Sequence, residues 1–133
     1  MEGLALSYLV DTHAIIWLVE NDPRVGQKTR IIADTTPAKQ LAIADISLLE
    51  ISILWHKGRI PEGQPLHILL KGIEANFQVL PINAAIAATA YELPLPQSDP
   101  FDRSIVATAL YHKLPLITRD RHITASDCVQ TIW

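Results

Sequence analysis

The stretch 6-LSYLVDTHAIIWL-18 places one carboxylate, Asp11, between two apolar runs. The residues SYLV before it have the composition of a buried strand, and THAIIWLVE after it is typical of a helix. A carboxylate at such a junction commonly caps the helix by accepting backbone N–H groups. It also suits a metal ligand, because sites in open parallel sheets form just beyond the carboxyl ends of the strands.

Strand and helix patterns alternate along the whole chain. Strand patterns lie at 7–10, 40–44, 77–82, 114–118 and 128–133, and helix patterns at 12–20, 23–34, 46–58, 65–75, 83–93 and 99–113. Pro23 is placed near the start of the second helix, Gly58 closes the third, and Asp99 with Pro100 opens the last. The alternation predicts one α/β domain over residues 1–133, with a mainly parallel sheet of about five strands between helical layers.

Composition narrows the class of protein. The chain has 133 residues, 49% of them hydrophobic and 19% charged, which excludes disorder and allows a sizeable core. Polar residues from Asp11 to Asp22 interrupt the most apolar region, so no membrane span is expected. The N-terminus lacks signal-peptide features, and the single cysteine, Cys128, excludes an internal disulfide; both favour the cytoplasm. A net charge of −3 argues against a polycation that coats nucleic acid, but not against a nucleic-acid enzyme.

Five acids follow predicted strands or open the neighbouring helices: Asp11, Glu50, Asp99, Asp102 and Asp120. Each has a purely structural alternative. Asp11 and Asp99 could be helix caps, Asp102 a first-turn acid, and Asp120 the start of a turn. Ser47 and Glu50 match the S-x-x-E capping box.

Taken together, the five acids favour a metal site over five separate caps. Carboxylates converging at one sheet edge would repel by roughly 4 kcal/mol per close pair at an effective dielectric of 20. Divalent cations would relieve that repulsion, and a ligand set of oxygen atoms alone favours Mg²⁺ or Mn²⁺ over Zn²⁺. The five histidines are scattered without the spacing of zinc ligands.

Four segments carry a resemblance to a known family: 9-LVDTHAIIW-17, 47-SLLEISILWHKGRI-60, 99-DPFDRSIVATAL-110 and 116-LITRD-120. The chain resembles the PIN-domain ribonucleases, and most closely the VapC-like toxins of bacterial toxin–antitoxin pairs. The resemblance spans almost the whole chain, and DPFDR followed by a strand and T-R-D is its most specific part. It implies a three-layer α/β/α PIN-like domain.

The resemblance also implies roles for the acids. Asp11, Glu50 and Asp102 would form the metal-binding and catalytic core, with Asp120 as the fourth acid, whereas Asp99 fits an N-cap better than a ligand. Family members bind Mg²⁺ or Mn²⁺ at these acids and cleave RNA with metal-activated water. One or two ions would straddle the scissile phosphate. A homodimer and an antitoxin that covers the site are the implied partners, besides RNA.

Polar neighbours of the acids supply further candidates. Thr12 and Thr118 match polar positions of the family that could hold water or orient a ligand. Arg103 and Arg119 could position an acid or contact phosphate, with a solvated or ion-paired arginine as the alternative. Relatives often place a histidine shortly before DPFDR, where this chain has Gln97 and Ser98.

Two other functions remain open. A phosphotransfer domain of the receiver or haloacid dehalogenase type also has an acid after strand one. Those folds need a neighbouring second acid and a lysine after a late strand, whereas Thr12, His13 and Arg119 stand at these places. The second alternative is a catalytically inactive PIN module that only binds protein. Mn²⁺ titration would distinguish the two, because only the active form should bind Mn²⁺ at the acids. Trp17 and Trp55 are interpreted as core or interface residues rather than base-stacking platforms.

Overall fold

The computed structural model describes residues 5–61, 63–95 and 99–133. Within them the strands are β1 (Tyr8–Val10), β2 (Leu41–Ala44), β3 (Gln78–Leu80), β4 (Leu116–Ile117) and β5 (Thr131–Ile132). The helices are α1 (Thr12–Val19), α2 (Gln27–Thr35), α3 (Asp45–His56), α4 (Leu66–Asn76), α5 (Ala84–Ala90), α6 (Pro100–His112) and α7 (Arg121–Ser126), with a 3₁₀ turn at Ala38–Gln40. No helix in these ranges is both long enough and apolar enough to cross a membrane.

The five strands form one parallel sheet in the order β3-β2-β1-β4-β5. Strand β1 is central, with Leu9 opposite Ala42 of β2 and Leu116 of β4. Because every strand runs in the same direction, the carboxyl ends of β1, β2 and β4 meet at one edge of the sheet. The prediction of a mainly parallel sheet of about five strands is confirmed.

Helices cover both faces of the sheet. Successive residues of β1 face opposite ways, since Val10 packs in a cluster with Ile15 of α1 and Ile51 of α3, while Leu9 packs in a second cluster with Ile105 of α6. All five side chains are at most 1% exposed. Burying such a side chain stabilises the fold by about 1.5–3 kcal/mol, so the two clusters secure the three-layer α/β/α arrangement.

The second helix begins later than its sequence pattern predicts. Asp22 accepts hydrogen bonds from the backbone N–H and the guanidinium of Arg24, which closes a turn around Pro23. Helix α2 therefore starts only after its N-cap, Gly26. The placement of Pro23 at the start of that helix is wrong, because the local acid–arginine pairing holds these residues in a turn.

One helix was not predicted at all. Residues Arg121–Ser126 form α7, and Asp120 caps it by accepting the backbone N–H groups of His122 and Ile123. The interpretation of Asp120 as the start of a simple turn is corrected to a helix N-cap. Ile123 is the buried residue of this short helix, which packs in the same cluster as Leu9. A six-residue helix has too few apolar positions to produce a recognisable period.

Candidate active site

A cavity of about 500 Å³ opens at the carboxyl edge of the sheet. All five acids singled out in the sequence line it: Asp11, Glu50, Asp99, Asp102 and Asp120. They come from four different regions of the chain, following β1 and β4 and lying on or before α3 and α6. The remaining lining includes His13, Trp17, Arg119 and Arg121.

Asp11 lies at the centre of this edge and is held by both of its oxygens. It is the N-cap of α1, with Oδ1 accepting the backbone N–H of Ala14 at 3.0 Å. The Thr118 hydroxyl donates to Oδ2, and Thr118 is itself 1% exposed. Capping and participation in the site are therefore compatible, because the cap uses one oxygen and leaves the second facing the β4 side.

Helix α3, which carries Glu50, is joined to α1 through Ser47 and does not begin with a capping box. Helix α3 begins at Asp45, so Ser47 is inside the helix and cannot be its N-cap; that interpretation is wrong. Ser47 is instead fully buried and accepts a 3.0 Å hydrogen bond from the Thr12 hydroxyl. Among the described residues no group hydrogen-bonds the buried Oε1 of Glu50, which leaves a carboxylate oxygen without a protein partner inside the cavity wall.

Asp99 and Asp102 are both placed by the start of α6. Asp99 is the N-cap and accepts the backbone N–H of Phe101 at 2.8 Å, as predicted. Pro100 occupies the first turn, where its missing N–H costs nothing. Asp102, two residues further, lies in the first helical turn and lines the cavity.

The electrostatics of the cavity disfavour charge on three of its acids, Asp11, Glu50 and Asp102. Burial raises the pKa of Asp11 to about 6, against the opposing hydrogen bond from Thr118. Burial likewise raises the pKa of Glu50, against the nearby Thr12 hydroxyl. The pKa of Asp102 rises to about 7, first through burial and then through repulsion from Asp99, Asp120, Glu50 and Asp11. All five carboxyl groups therefore interact within one electrostatic cluster.

This donor set fits a hard divalent cation that keeps part of its water. The clustered carboxylate oxygens, the unpartnered Glu50 Oε1 and the mutual repulsion around Asp102 all favour a bound positive charge. Within the described ranges, no group of three or more acid, histidine or cysteine side chains is arranged closely enough to hold a metal ion. Mg²⁺ commonly uses only one or two carboxylates and completes its shell with water and phosphate oxygens, so direct binding by three acids is not required.

The predicted supporting residues divide into two groups. Thr118 orients Asp11, and its oxygen also accepts the backbone N–H of Asp120 at 3.0 Å. Thr12 is buried beside Glu50, and Arg119 lines the cavity. Arg103 does not line it.

The guanidinium of Arg103 instead joins α6 to the end of α5 and to the segment that follows it. It donates to the backbone carbonyls of Ala90, Leu93 and Leu95 at 2.8–3.1 Å. The side chain is only 9% exposed. Burial among these carbonyls favours a structural role over the contact with an acid or phosphate that the resemblance suggests for Arg103.

Two cavity residues were missed in the sequence. His13 is exposed and Trp17 is half-buried, and both line the cavity beside Asp11. Their spacing of four residues on α1 puts them on one helical face, and this spacing is visible in the sequence. Trp17 and Trp55 both pack partly buried against the core, as their interpretation predicted, and Trp17 in addition lines the cavity. Gln97 and Ser98, the departure from the family pattern, lie outside the described residues.

Comparisons with known proteins match most of the chain to one family. The model of the PIN domain family matches residues 8–127. Ribonuclease VapC22 of Mycobacterium tuberculosis is 32% identical over 116 residues, which cover 86% of this chain and 88% of that protein.

Solved structures share the fold at lower identity. DNA-bound VapBC from Salmonella typhimurium superposes with a TM-score of 0.71 at 17% identity, covering 96% of this chain and 97% of that one. A toxin–antitoxin complex from Klebsiella pneumoniae gives a TM-score of 0.67 at 21% identity, with the same two coverages. At these identities the likeness concerns the fold.

Proposed function

The chain belongs to the PIN domain family, and on that premise we propose that it is a Mg²⁺- or Mn²⁺-dependent endoribonuclease. It would hydrolyse RNA phosphodiester bonds and act as the toxin of a toxin–antitoxin pair. The observation that carries the proposal is the cavity lined by five acids, in which Asp102 is repelled by the other four. A relative named as a ribonuclease supports the same reaction.

In the proposed mechanism, the chain supplies a rigid frame of oxygen ligands. Asp11, Glu50 and Asp102 would hold the cation, and Asp120 would complete the set from the β4 side. A bound divalent cation would polarise the scissile phosphate and activate the attacking water. Thr118 keeps the Asp11 carboxylate in a single orientation, so the ligand does not have to be ordered during the reaction.

Substitution of Asp11 tests the assignment. We expect Asp11→Asn to lower Mn²⁺-dependent RNA cleavage by at least about a hundredfold, because the amide loses one anionic oxygen. The matched control is Glu74→Gln, which neutralises an exposed acid on α4 and should leave cleavage unchanged.

The measurement is cleavage of total RNA in Mn²⁺ and in EDTA, with thermal melts to verify folding. Wild-type protein that cleaves no RNA in Mn²⁺ would contradict the proposed activity. Full activity of folded Asp11→Asn would contradict only the assignment of the site.

The proposed partners are an antitoxin and a second copy of the chain. Apolar side chains lie exposed on the first, second and fourth helices, with Val19, Ile31 and Ile68 between 44% and 56% exposed. A second cavity of about 560 Å³ lies between these helices. Co-expression with the product of the adjacent reading frame, followed by co-purification and light scattering, would test both partners. If the chain purifies as a monomer, without the product of the adjacent reading frame, both proposed partners are contradicted.

A further inference from the structure

Trp17 forms part of the wall of the acidic cavity and is locked in orientation. His13 meets it edge-on at a centroid distance of 6.0 Å, and Trp133 at 5.7 Å. The Trp17 carbonyl accepts the backbone N–H of Asp22 at 2.8 Å, which ties the turn after α1 to the same residue. The indole is therefore a fixed surface beside Asp11.

Arg119 rests on this indole instead of pairing with an acid. Its guanidinium carbon lies 5.5 Å from the Trp17 ring centroid. Arg119 is exposed, lines the cavity with five carboxylates and directly precedes Asp120. Within the described ranges it nevertheless makes no ion pair, since the one salt bridge found there joins Arg24 to Asp22.

Arg24 provides the contrast. Its guanidinium lies closer to the same ring, at 4.4 Å, but donates to both carboxylate oxygens of Asp22 at 2.9–3.1 Å. The charge of Arg24 is thus neutralised locally. Two arginines contact Trp17, and of these Arg119 lines the cavity whereas Arg24 does not. Among the described residues, no acid forms an ion pair with Arg119.

We propose that Trp17 holds the Arg119 guanidinium at the exposed edge of the cavity as the binding group for an RNA phosphate next to the scissile one. This inference rests on the proposed ribonuclease function. Trp17 is a positioning residue in this arrangement, and Arg119 is the residue that contacts the substrate.

The geometry explains how an arginine can serve RNA in a cavity full of acids. A guanidinium lying over an aromatic ring keeps its N–H donors pointing outward in its own plane, where they can meet a phosphate in a bidentate fashion. The cation–π contact with Trp17 competes with ion pairing to Asp120 and the other acids. The acids then remain available for the cation, and the arginine for the phosphate.

Kinetics of Arg119→Ala on a single-stranded RNA oligonucleotide in Mn²⁺ give the first test. We expect KM to rise by about tenfold with kcat nearly unchanged, because one charge-assisted contact outside the reacting bond is lost. The slope of log KM against log salt should fall by about one, the signature of a lost phosphate contact. Arg24→Ala is the matched control and should leave KM and the salt slope at wild-type values.

Substitution of the tryptophan tests positioning. Trp17→Phe keeps an aromatic face and should retain a KM close to wild type, whereas Trp17→Leu should raise KM toward the value of Arg119→Ala. In the double variant Trp17→Leu/Arg119→Ala, KM should equal that of Arg119→Ala alone, because the two residues act through one contact. Multiplying effects in the double variant would overturn the positioning role.

Arg119→Lys gives the same test without altering the core, should Trp17→Leu not fold. It keeps the charge but loses the planar group, and we expect KM to rise by about fivefold. A wild-type KM for Arg119→Lys would overturn positioning by stacking. Wild-type KM and salt slope for Arg119→Ala would overturn the whole inference while leaving the ribonuclease proposal intact, since the wild-type enzyme would still cleave.

Discussion

Thr118 illustrates how single residues prepare the site. Its hydroxyl donates to Asp11, and the same oxygen accepts the backbone N–H of Asp120. One buried side chain therefore relates two of the proposed ligands to each other. A hydroxyl is needed for this task, because it can donate and accept at once.

Removal of that hydroxyl gives a prediction at the residue scale. Thr118→Val keeps the shape, leaves the Asp120 N–H without its acceptor and leaves Asp11 held only by its cap bond from Ala14. We expect Mn²⁺ affinity to fall by about 10-fold to 100-fold, measured by calorimetry. Thr35→Val, which removes an exposed hydroxyl from α2, is the control. Unchanged Mn²⁺ affinity in Thr118→Val would contradict the role of Thr118.

The raised pKa values predict how stability depends on pH. The pKa values of Asp102 and Asp11 in the folded protein are about 7 and about 6, against 3.8 for the ordinary group. Between about pH 4 and pH 7 the folded state therefore binds more protons than the unfolded state. The free energy of unfolding must fall as pH rises through that window.

Urea unfolding in metal-free buffer at about pH 5 and about pH 8 measures the effect. We expect lower stability at the higher pH, and a smaller difference in Asp102→Asn, which cannot ionise there. Glu74→Gln should behave like the wild type. Equal stability of the wild type at both pH values would contradict the raised pKa values of Asp11 and Asp102.

At the scale of elements, three helices begin at the cavity. Asp11, Asp99 and Asp120 cap α1, α6 and α7. Each helix start carries a partial positive charge, which partly offsets the repulsion among the carboxylates. Strand-to-helix junctions thus serve both the fold and the site, since a capping carboxylate fixes its own position.

Gly26, the N-cap of α2, packs closely against Trp133. A Cβ at Gly26 would lie 2.5 Å from the Trp133 carbonyl carbon, although the backbone of Gly26 is ordinary, at φ −64°. Gly26→Ala should therefore destabilise the fold by about 1–3 kcal/mol through overpacking.

Gly72→Ala is the matched comparison, measured by the same denaturant titration. Gly72 lies inside α4 with nothing within 4 Å of its Cβ position. This substitution should stabilise by about 1 kcal/mol through helix propensity. Stabilisation by both substitutions would contradict the packing of Trp133 against Gly26.

At the scale of the whole molecule, the parallel sheet assembles the acids, and their repulsion opposes folding. A bound cation would relieve that repulsion. Mn²⁺ at about a hundred times its Kd should stabilise the wild type by about 3 kcal/mol, seen as a rise in Tm. Asp102→Asn should show a higher Tm than wild type without metal and a much smaller gain with it. If Mn²⁺ raised the Tm of Asp102→Asn as much as that of the wild type, the cation would bind at a site that does not include Asp102.

The sequence by itself determined the layers and the location of the acids. Its alternating apolar runs predict a parallel sheet, and acids that follow strands in such a sheet must gather at one edge. Asp11 and Asp99 also carry local cap signals that the structure confirms. These features depend on neighbours within a few residues, which the chain displays directly.

Only the tertiary structure decided what surrounds those acids. Ser47 looked like part of a capping box, but it pairs with Thr12 across 35 residues. The Thr118 hydroxyl reaches Asp11 across 107 residues. Trp17 became part of the cavity because of packing against Trp133 and Arg119. Such contacts form between segments distant in sequence, so no local pattern encodes them, and they appear only when the sheet order brings the segments together.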